Sequence, residues 1–229
     1  MGAARYPEGM RGAIPLVHPI VPVIYPILDV SFLPANGRAS FLDQLGRSLT
    51  DAGVTMLEYR NKPGSDAEVL ADARILRATM PKEQVRLILD DRVDVALAAG
   101  FDGVHVDTGD LSPAEARLLM GAASVIGTSA SDAEHLHAAL TQPVDYIAFG
   151  PVFPTTTKQT SAPPIGIEGV RRFRNLAGPE AVLVAAAGIT LETAPAILAA
   201  GANSLAVASA IFRTADPAAE FRRWIANLA

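Results

Sequence analysis

The stretch "RLILDDRVDVALAAGFDGVHV", Arg86–Val106, decides the fold. It begins as a β-rich apolar run that stops at two adjacent carboxylates, Asp90 and Asp91. A helix-period segment follows, and the chain then resumes a short β-rich run at Gly103–Val106. The same alternation continues in both directions. Strand-like runs precede it at Val23–Val30 and Met56–Arg60 and follow it at Ser124–Ser129, Tyr146–Pro151, Val182–Gly188 and Ser204–Ala210. The intervening segments carry helix signals: Ser65 opens "SDAEVLADARILRATM", and Ser112-Pro113 with Glu115 opens "SPAEARLLM". Later helical segments are "SDAEHLHAAL", "LETAPAILAAG" and "DPAAEFRRWIANLA".

Eight strand-helix units without a break in composition predict an α/β protein forming one (β/α)8 TIM barrel over residues 23–229, because continuous apolar strands need both faces covered. An open doubly wound sheet is the alternative. The chain has 229 residues, half of them hydrophobic and few aromatic, which suits helices packed on a parallel sheet within one large domain. Its formal charge of −5 argues against nonspecific nucleic-acid binding through a broad basic face. With no cysteine there is no disulfide or thiolate metal site. No run reaches the length of a membrane helix. Residues 1–22, with Glu8 and several prolines, read as a short N-terminal extension without a secretory signal, so a cytoplasmic location is expected. Oligomeric state is not fixed by these residues, and a homo-oligomer stays open.

A barrel presents its chemistry at the C-terminal ends of its strands. Strand two ends in Glu58, Arg60 and Lys62, and strand three in Asp90 and Asp91. Asp107 and Asp110 follow strand four, and Ser129 ends strand five. Asp91 and Asp110 are hard oxygen donors on neighbouring strand ends, a pair suited to Mg²⁺ although each alone reads as a turn residue. Arg60 and Lys62 alternate past a strand end, where a fork and an ammonium can hold a diphosphate or simply be solvated rim cations. The loop "GPVFPTTTKQTSAPPIG", Gly150–Gly166, is long and rich in proline and hydroxyls, and Lys158 within it is placed to close over an anion. Gly188, Ala208 and Ser209 lie in the turns where barrels often bind phosphate through backbone N–H groups. His105, His135 and His137 read as structural, and His18 as part of the extension.

Taken in order, "EYRNK", "LDDRVDVALAAGFDGVHV", "GDL", "IGTSAS", "FGPVFPTTTK" and "VASAI" resemble the thiamine phosphate synthase family over Val23–Trp224. The resemblance implies a transferase that joins 4-amino-5-hydroxymethyl-2-methylpyrimidine diphosphate to hydroxyethylthiazole phosphate with loss of pyrophosphate. It implies that Arg60, Lys62 and Lys158 hold the diphosphate, that Asp91 and Asp110 hold Mg²⁺, and that Ser129 lies against the pyrimidine and leaving group. Thr155 and Thr157, with the backbone around Gly188, Ala208 and Ser209, would receive the thiazole phosphate. Two departures stand out: Glu58 and Asp90 occupy positions where the family usually carries amides. Compensation is expected, with Asp90 joining the metal or either acid protonated by its neighbours, and Glu58 can also accept from the pyrimidine amino group. Further departures are Asp107-Thr108 for Gly-Gln, Ser131 for a common His, and Ala187 for Gly, the last tolerable if its φ need not be positive. The departures keep two alternatives in view: a tautomerase-like paralogue acting on another phosphorylated heterocycle, and a non-catalytic barrel that binds thiamine intermediates.

Overall fold

Eight parallel strands pair each with the next, and β8 returns to β1 to close the barrel. The structure is a computed structural model that describes residues 20–155 and 162–228. Most of the N-terminal extension, His18, Thr157 and Lys158 therefore lie outside the described residues. The first half of the chain runs β1 (Ile24–Asp29), α1 (Arg38–Asp51), β2 (Met56–Arg60), α2 (Asp66–Thr79), β3 (Arg86–Asp90), α3 (Val93–Ala99), β4 (Gly103–Val106) and α4 (Pro113–Met120). The second half runs β5 (Val125–Ala130), α5 (Ala133–Leu140), β6 (Tyr146–Phe149), α6 (Gly166–Ala177), β7 (Leu183–Ala186), α7 (Ala194–Ala199), β8 (Ser204–Val207), α8 (Ser209–Phe212) and α9 (Pro217–Leu228).

Local chemistry accounts for the helix starts. Ser65 and Ser112 each accept from a backbone N–H three residues on, while Glu68 and Glu115 reach back, completing two capping boxes. The α5 cap is Asp132, not Ser131, because the Asp132 carboxylate takes the His135 N–H. The run "SLAVASA" is shorter as a strand than its composition suggests: β8 stops at Val207 and the chain turns into α8 at Ser209.

Period-two alternation sorts the strand residues into two layers. Outward residues such as Leu57, Leu87 and Leu89 pack with the helices in the main core. Inward residues fill the barrel: Tyr25, Met56, Ile88, Val125, Tyr146 and Val184 form a second apolar cluster. Two residues beyond this layer the inward positions become polar, so Met56 is followed by Glu58 and Arg60, and Ile88 by Asp90. The barrel is thus apolar within and charged at its C-terminal mouth.

The opposite end is fastened by a device that repeats every two strands. Arg77 of α2 bonds Asp102, which precedes β4 and also accepts from Leu87 N on β3. Arg117 of α4 bonds Asp145, which precedes β6 and accepts from Ile126 N on β5. Arg174 of α6 bonds Asn203, which precedes β8 and accepts from Leu183 N on β7. Each arginine also satisfies backbone carbonyls of the helix-to-strand turn, among them Val85, Ser124 and Ala181. These carbonyls lie in turns just before the next strands, where the arginine supplies a donor.

Candidate functional site

The strand ends open on a cleft of about 810 Å³ including its mouth, within the usual size of small-molecule sites. Glu58, Arg60, Asp90, Ser129, Thr155, Gly188, Ala208 and Ser209 all line it, so eight of the residues singled out in the sequence converge. A second lobe of about 510 Å³ adjoins it below the β6–α6 loop and shares Ser129 and Thr155. Thr157 and Lys158, placed in that loop by the sequence, lie outside the described residues.

One wall carries the cations. Arg60 pairs with Asp29 and, at 3.3 Å, with Asp90. Lys62 lies 3.5 Å from Asp90 and donates to both oxygens of Asp91. Burial alone would raise the Asp29 carboxyl, but hydrogen bonds from Ser31 and Arg60 outweigh it and hold it below the usual carboxylate range. Burial raises the Asp90 carboxyl, and His105, Lys62 and Arg60 oppose that rise. Two cations thus face the anomalous acid Asp90, whose carboxyl nonetheless stays above the usual carboxylate range. Asp29 was not singled out in the sequence; its signal is its place as the last residue of β1, directly beside Arg60 in register.

Asp91 and Asp110 meet in a groove next to this wall, together with Leu97 and Leu111. Burial raises the Asp110 carboxyl, and the nearby Asp91 charge and a side-chain hydrogen bond to Asp91 raise it further. Two carboxylates brought together in this way favour a cation between or beside them, and Lys62 already supplies positive charge there. The oxygen-only donor pair fits Mg²⁺, which is commonly held by one or two carboxylates with water and phosphate oxygens completing its shell. No cluster of three or more acidic, histidine or cysteine residues arranged for a metal occurs among the described residues.

The far wall is built from backbone. Gly188 sits at φ 70°, and a Cβ there would lie 2.5 Å from the Phe153 carbonyl oxygen. The loop after β6 is stitched to the end of β7 by Val152 N to Ala186 O and Phe153 N to Ala187 O, which brings Thr155 over the cleft. Ala187 has φ 69°, so the condition that would make alanine harmless at this position is not met; the left-handed conformation costs a non-glycine residue about 1–2 kcal/mol. Beside it, past the neighbouring strand β8, Ala208 and Ser209 start α8, where the Ala208 carbonyl accepts from Ile211 and Phe212 and the earlier N–H groups of the turn suit an anion.

The floor holds a group of buried ionisable residues around His105, which reads from the sequence as structural. His105 is on the inward face of β4, not a bystander within the strand. Its Nε2 lies 2.9 Å from Ser129 Oγ and 3.7 Å from Asp107 Oδ1, and its Nδ1 lies 3.1 Å from the Tyr146 hydroxyl. Burial would lower its pKa, but Asp107, Glu58 and Asp90 outweigh that and hold it at about 9. Glu58, opposite, is pushed up to about 7 by burial and by the charges of Asp90 and Asp107, against the pull of His105 and Arg60. The signal for His105 was available: counting by twos along β4 places it on one face with Asp107. His135, by contrast, bonds Asp132 and Ser131 at the exposed start of α5.

The site chemistry is therefore a cation wall beside a paired-carboxylate groove, facing a backbone anion cradle across a partly apolar cleft. Among known proteins, the sequence profile described as thiamine monophosphate synthase matches residues 24–211. A thiamine-phosphate synthase of Koribacter versatilis is 42% identical over 82% of this chain and 87% of its own length. One from Agrobacterium fabrum is 39% identical over 83% and 84%. The solved thiamine phosphate pyrophosphorylase of Pyrococcus furiosus is 28% identical and superposes with a TM-score of 0.74, covering 89% of this chain and 95% of that one. On the strength of that profile and those relatives, the chain belongs to the thiamine monophosphate synthase family.

Proposed function

We propose that the protein is a thiamine phosphate synthase that joins 4-amino-5-hydroxymethyl-2-methylpyrimidine diphosphate to hydroxyethylthiazole phosphate and releases pyrophosphate. What supports this reading is one cleft lined both by a cationic strand end, at Arg60, and by backbone turns at Gly188 and Ala208–Ser209. Arg60 and Lys62 suit the diphosphate, while the turns at Gly188 and Ala208–Ser209 suit the single phosphate of the second substrate. Asp91 and Asp110 would hold Mg²⁺ beside the diphosphate. When bound, the ion would neutralise charge that develops on the departing oxygens.

In the reaction, the methylene C–O bond of the pyrimidine breaks and its electron pair leaves with pyrophosphate. The thiazole nitrogen lone pair forms the new C–N bond, and no proton transfer is required to balance the step. The electron-rich aminopyrimidine shares positive charge at the methylene carbon, so no protein nucleophile is needed. Arg60 and Lys62 are assigned to stabilise the leaving group, and Lys158, in the sequence after β6, is assigned the same role. Ser129, between the two walls, is assigned to the pyrimidine and its leaving oxygen, with Glu58 facing the ring from the floor. Thr155 and Thr157 are assigned to the thiazole phosphate. Holding both substrates in one cleft converts capture into a near-unimolecular step, for which positioning supplies up to roughly 7–11 kcal/mol. No helix among the described residues is long and apolar enough to cross a membrane, and we place this activity in the cytoplasm.

The test is formation of thiamine phosphate from both purified substrates with Mg²⁺, detected as fluorescent thiochrome, with EDTA and single-substrate controls. Repeated metal-dependent turnover is expected. Tight substrate binding without pyrophosphate release would instead identify a non-catalytic barrel, and conversion of the thiazole phosphate alone would identify a tautomerase.

A further inference from the structure

The turn that carries Lys62 is held from behind by a side chain on the far side of β2 from the cleft. Alternation along this strand sends Glu58 and Arg60 to the cleft and Leu57 and Tyr59 outward among the helices. Asn61 stays with the outward row. Its Nδ2 donates to the Tyr59 hydroxyl at 3.1 Å, and its Oδ1 accepts from Gly64 N at 3.0 Å. One amide, only 8% exposed, thus ties the strand end to the other limb of the turn 61–64. Gly64 leaves room for it: a Cβ there would lie 2.5 Å from Asn61 Nδ2 and 2.7 Å from Oδ1.

The anchor is itself fixed. A phenol has one hydrogen to donate and two positions to accept, and Tyr59 uses all three. It donates to Asp72 of α2 and accepts from Asn61 and, at 3.2 Å, from Arg38 of α1. Arg38 and Asp72 also pair, at 2.6 Å. Because the one phenol hydrogen goes to the carboxylate, the Asn61 group facing Tyr59 has to be its NH₂, which leaves the amide oxygen for the Gly64 N–H. A turn asparagine that closes only on its own backbone is commonplace; this one is buried, bonded on both sides and anchored to two helices.

We propose that Asn61 is a positioning residue for Lys62, fixing the turn so that the lysine ammonium stands at the cleft wall before an anion arrives. Lys62 Nζ lies 2.5 and 2.7 Å from the Asp91 oxygens and 3.5 Å from Asp90. Its flexible four-carbon stem is 37% exposed, so the direction in which it leaves the backbone decides where the charge stands. Fixing that direction lowers the ordering cost of binding. The identity of the anion, the diphosphate of the pyrimidine substrate, rests on the synthase reading; the turn and its anchor do not.

The test uses the full chain, with calorimetric titration of inorganic pyrophosphate in Mg²⁺ beside steady-state kinetics. Asn61→Ala is expected to raise Kd for pyrophosphate about tenfold and to lower kcat/KM for the pyrimidine diphosphate by a similar factor, with KM for hydroxyethylthiazole phosphate within about twofold of wild type. A smaller folded fraction would change neither Kd nor KM. In a Lys62→Ala background the same substitution is expected to add less than about twofold, because it acts through that lysine. Equal losses in both backgrounds, a parallel rise of both KM values or an unchanged Kd would overturn the positioning role. Should Asn61→Ala fail to fold, Gly64→Ala displaces the same amide from the other side of the turn and is expected to give the same selective loss; unchanged pyrophosphate affinity there would overturn the proposal. Wild-type protein that binds pyrophosphate without turnover would sink the synthase reading, and the titrations would still decide for or against Asn61. Wild-type protein that binds no pyrophosphate would overturn both.

Discussion

Lys62 Nζ donates to both carboxylate oxygens of Asp91, at 2.7 and 2.5 Å, so the acid assigned to the metal is already held by a cation of the same chain. Binding of Mg²⁺ and diphosphate at this wall would exchange that contact: the carboxylate turns to the metal and the ammonium to the phosphates. Asp91 has φ 65°, a conformation that asparagine accepts more readily than most residues. Asp91→Asn should therefore keep the backbone and the melting temperature while lowering Mg²⁺-dependent turnover by about 100-fold or more, since it removes half of a two-carboxylate site. A Mg²⁺ titration of thiamine phosphate formation reads this directly, and an unchanged curve would remove Asp91 from the metal.

Ala187 is the one other non-glycine residue of positive φ among the described residues, at 69°. Replacing it with glycine removes the left-handed penalty, against which glycine loses about 0.5–1 kcal/mol of chain entropy. The net expectation is a gain of roughly 0.5–1 kcal/mol, a rise in Tm of about 1–4 °C, with activity retained because the cradle uses backbone groups. Valine at the same position should lower Tm. A lower Tm for Ala187→Gly would mean that the alanine methyl contributes packing that exceeds its strain.

Glu58 makes stability depend on pH in a direction opposite to that of an ion-paired surface acid. Its carboxyl is raised from 4.5 to about 7 in the folded chain, first by burial. Between those values the unfolded chain loses its proton while the folded chain keeps it, so the fold is progressively penalised as pH rises, by roughly 3 kcal/mol once pH exceeds 7. Glu58→Gln removes that penalty and keeps the side-chain shape. It should raise Tm more at pH 7.5 than at pH 5. His105, held at about 9, contributes stability that is full below 6.5 and lost as pH passes 9, so the comparison belongs below pH 8. A Tm difference independent of pH would show that Glu58 is not buried as a shifted acid.

Much of this was legible along the chain. The strands Met56–Arg60 and Gly103–Val106 begin and end where their composition places them, because local alternation and flanking turn residues fix both limits. Ser65 and Ser112 mark helix starts for the same local reason. What the sequence hid depends on distant partners. Asp29 becomes a site residue only because Arg60 arrives from the next strand, and His105 only because Ser129, Asp107 and Tyr146 surround it. Asp90 reads as an acid without a counter-charge until Arg60, at 3.3 Å, and Lys62, at 3.5 Å, are seen beside it, and burial still raises its carboxyl. The two-strand clamps share no local motif, since Asp102, Asp145 and Asn203 are separated from their arginines by a helix end, a strand and another helix.

Those clamps lie at the barrel end away from the cleft, which separates stability from catalysis. Arg117 is the clearest case: it donates to the Ser124 carbonyl at 2.6 Å, the Pro143 carbonyl at 3.2 Å and the Asp145 carboxylate at 2.6 Å. Asp145 in turn accepts the backbone N–H that starts β5. Arg117→Ala would leave two carbonyls short of a donor and a half-buried carboxylate without its cation, at a cost of about 2–4 kcal/mol. That predicts a fall in the denaturation midpoint with kcat and KM of the folded enzyme unchanged. Asp145→Asn retains an acceptor oxygen for both Ile126 N and Arg117, as Asn203 does in the third clamp, and should cost distinctly less. If instead Asp145→Asn proved as damaging as Arg117→Ala, the clamp would depend on the charge of the pair, and the neutral Arg174–Asn203 version could not be its equivalent.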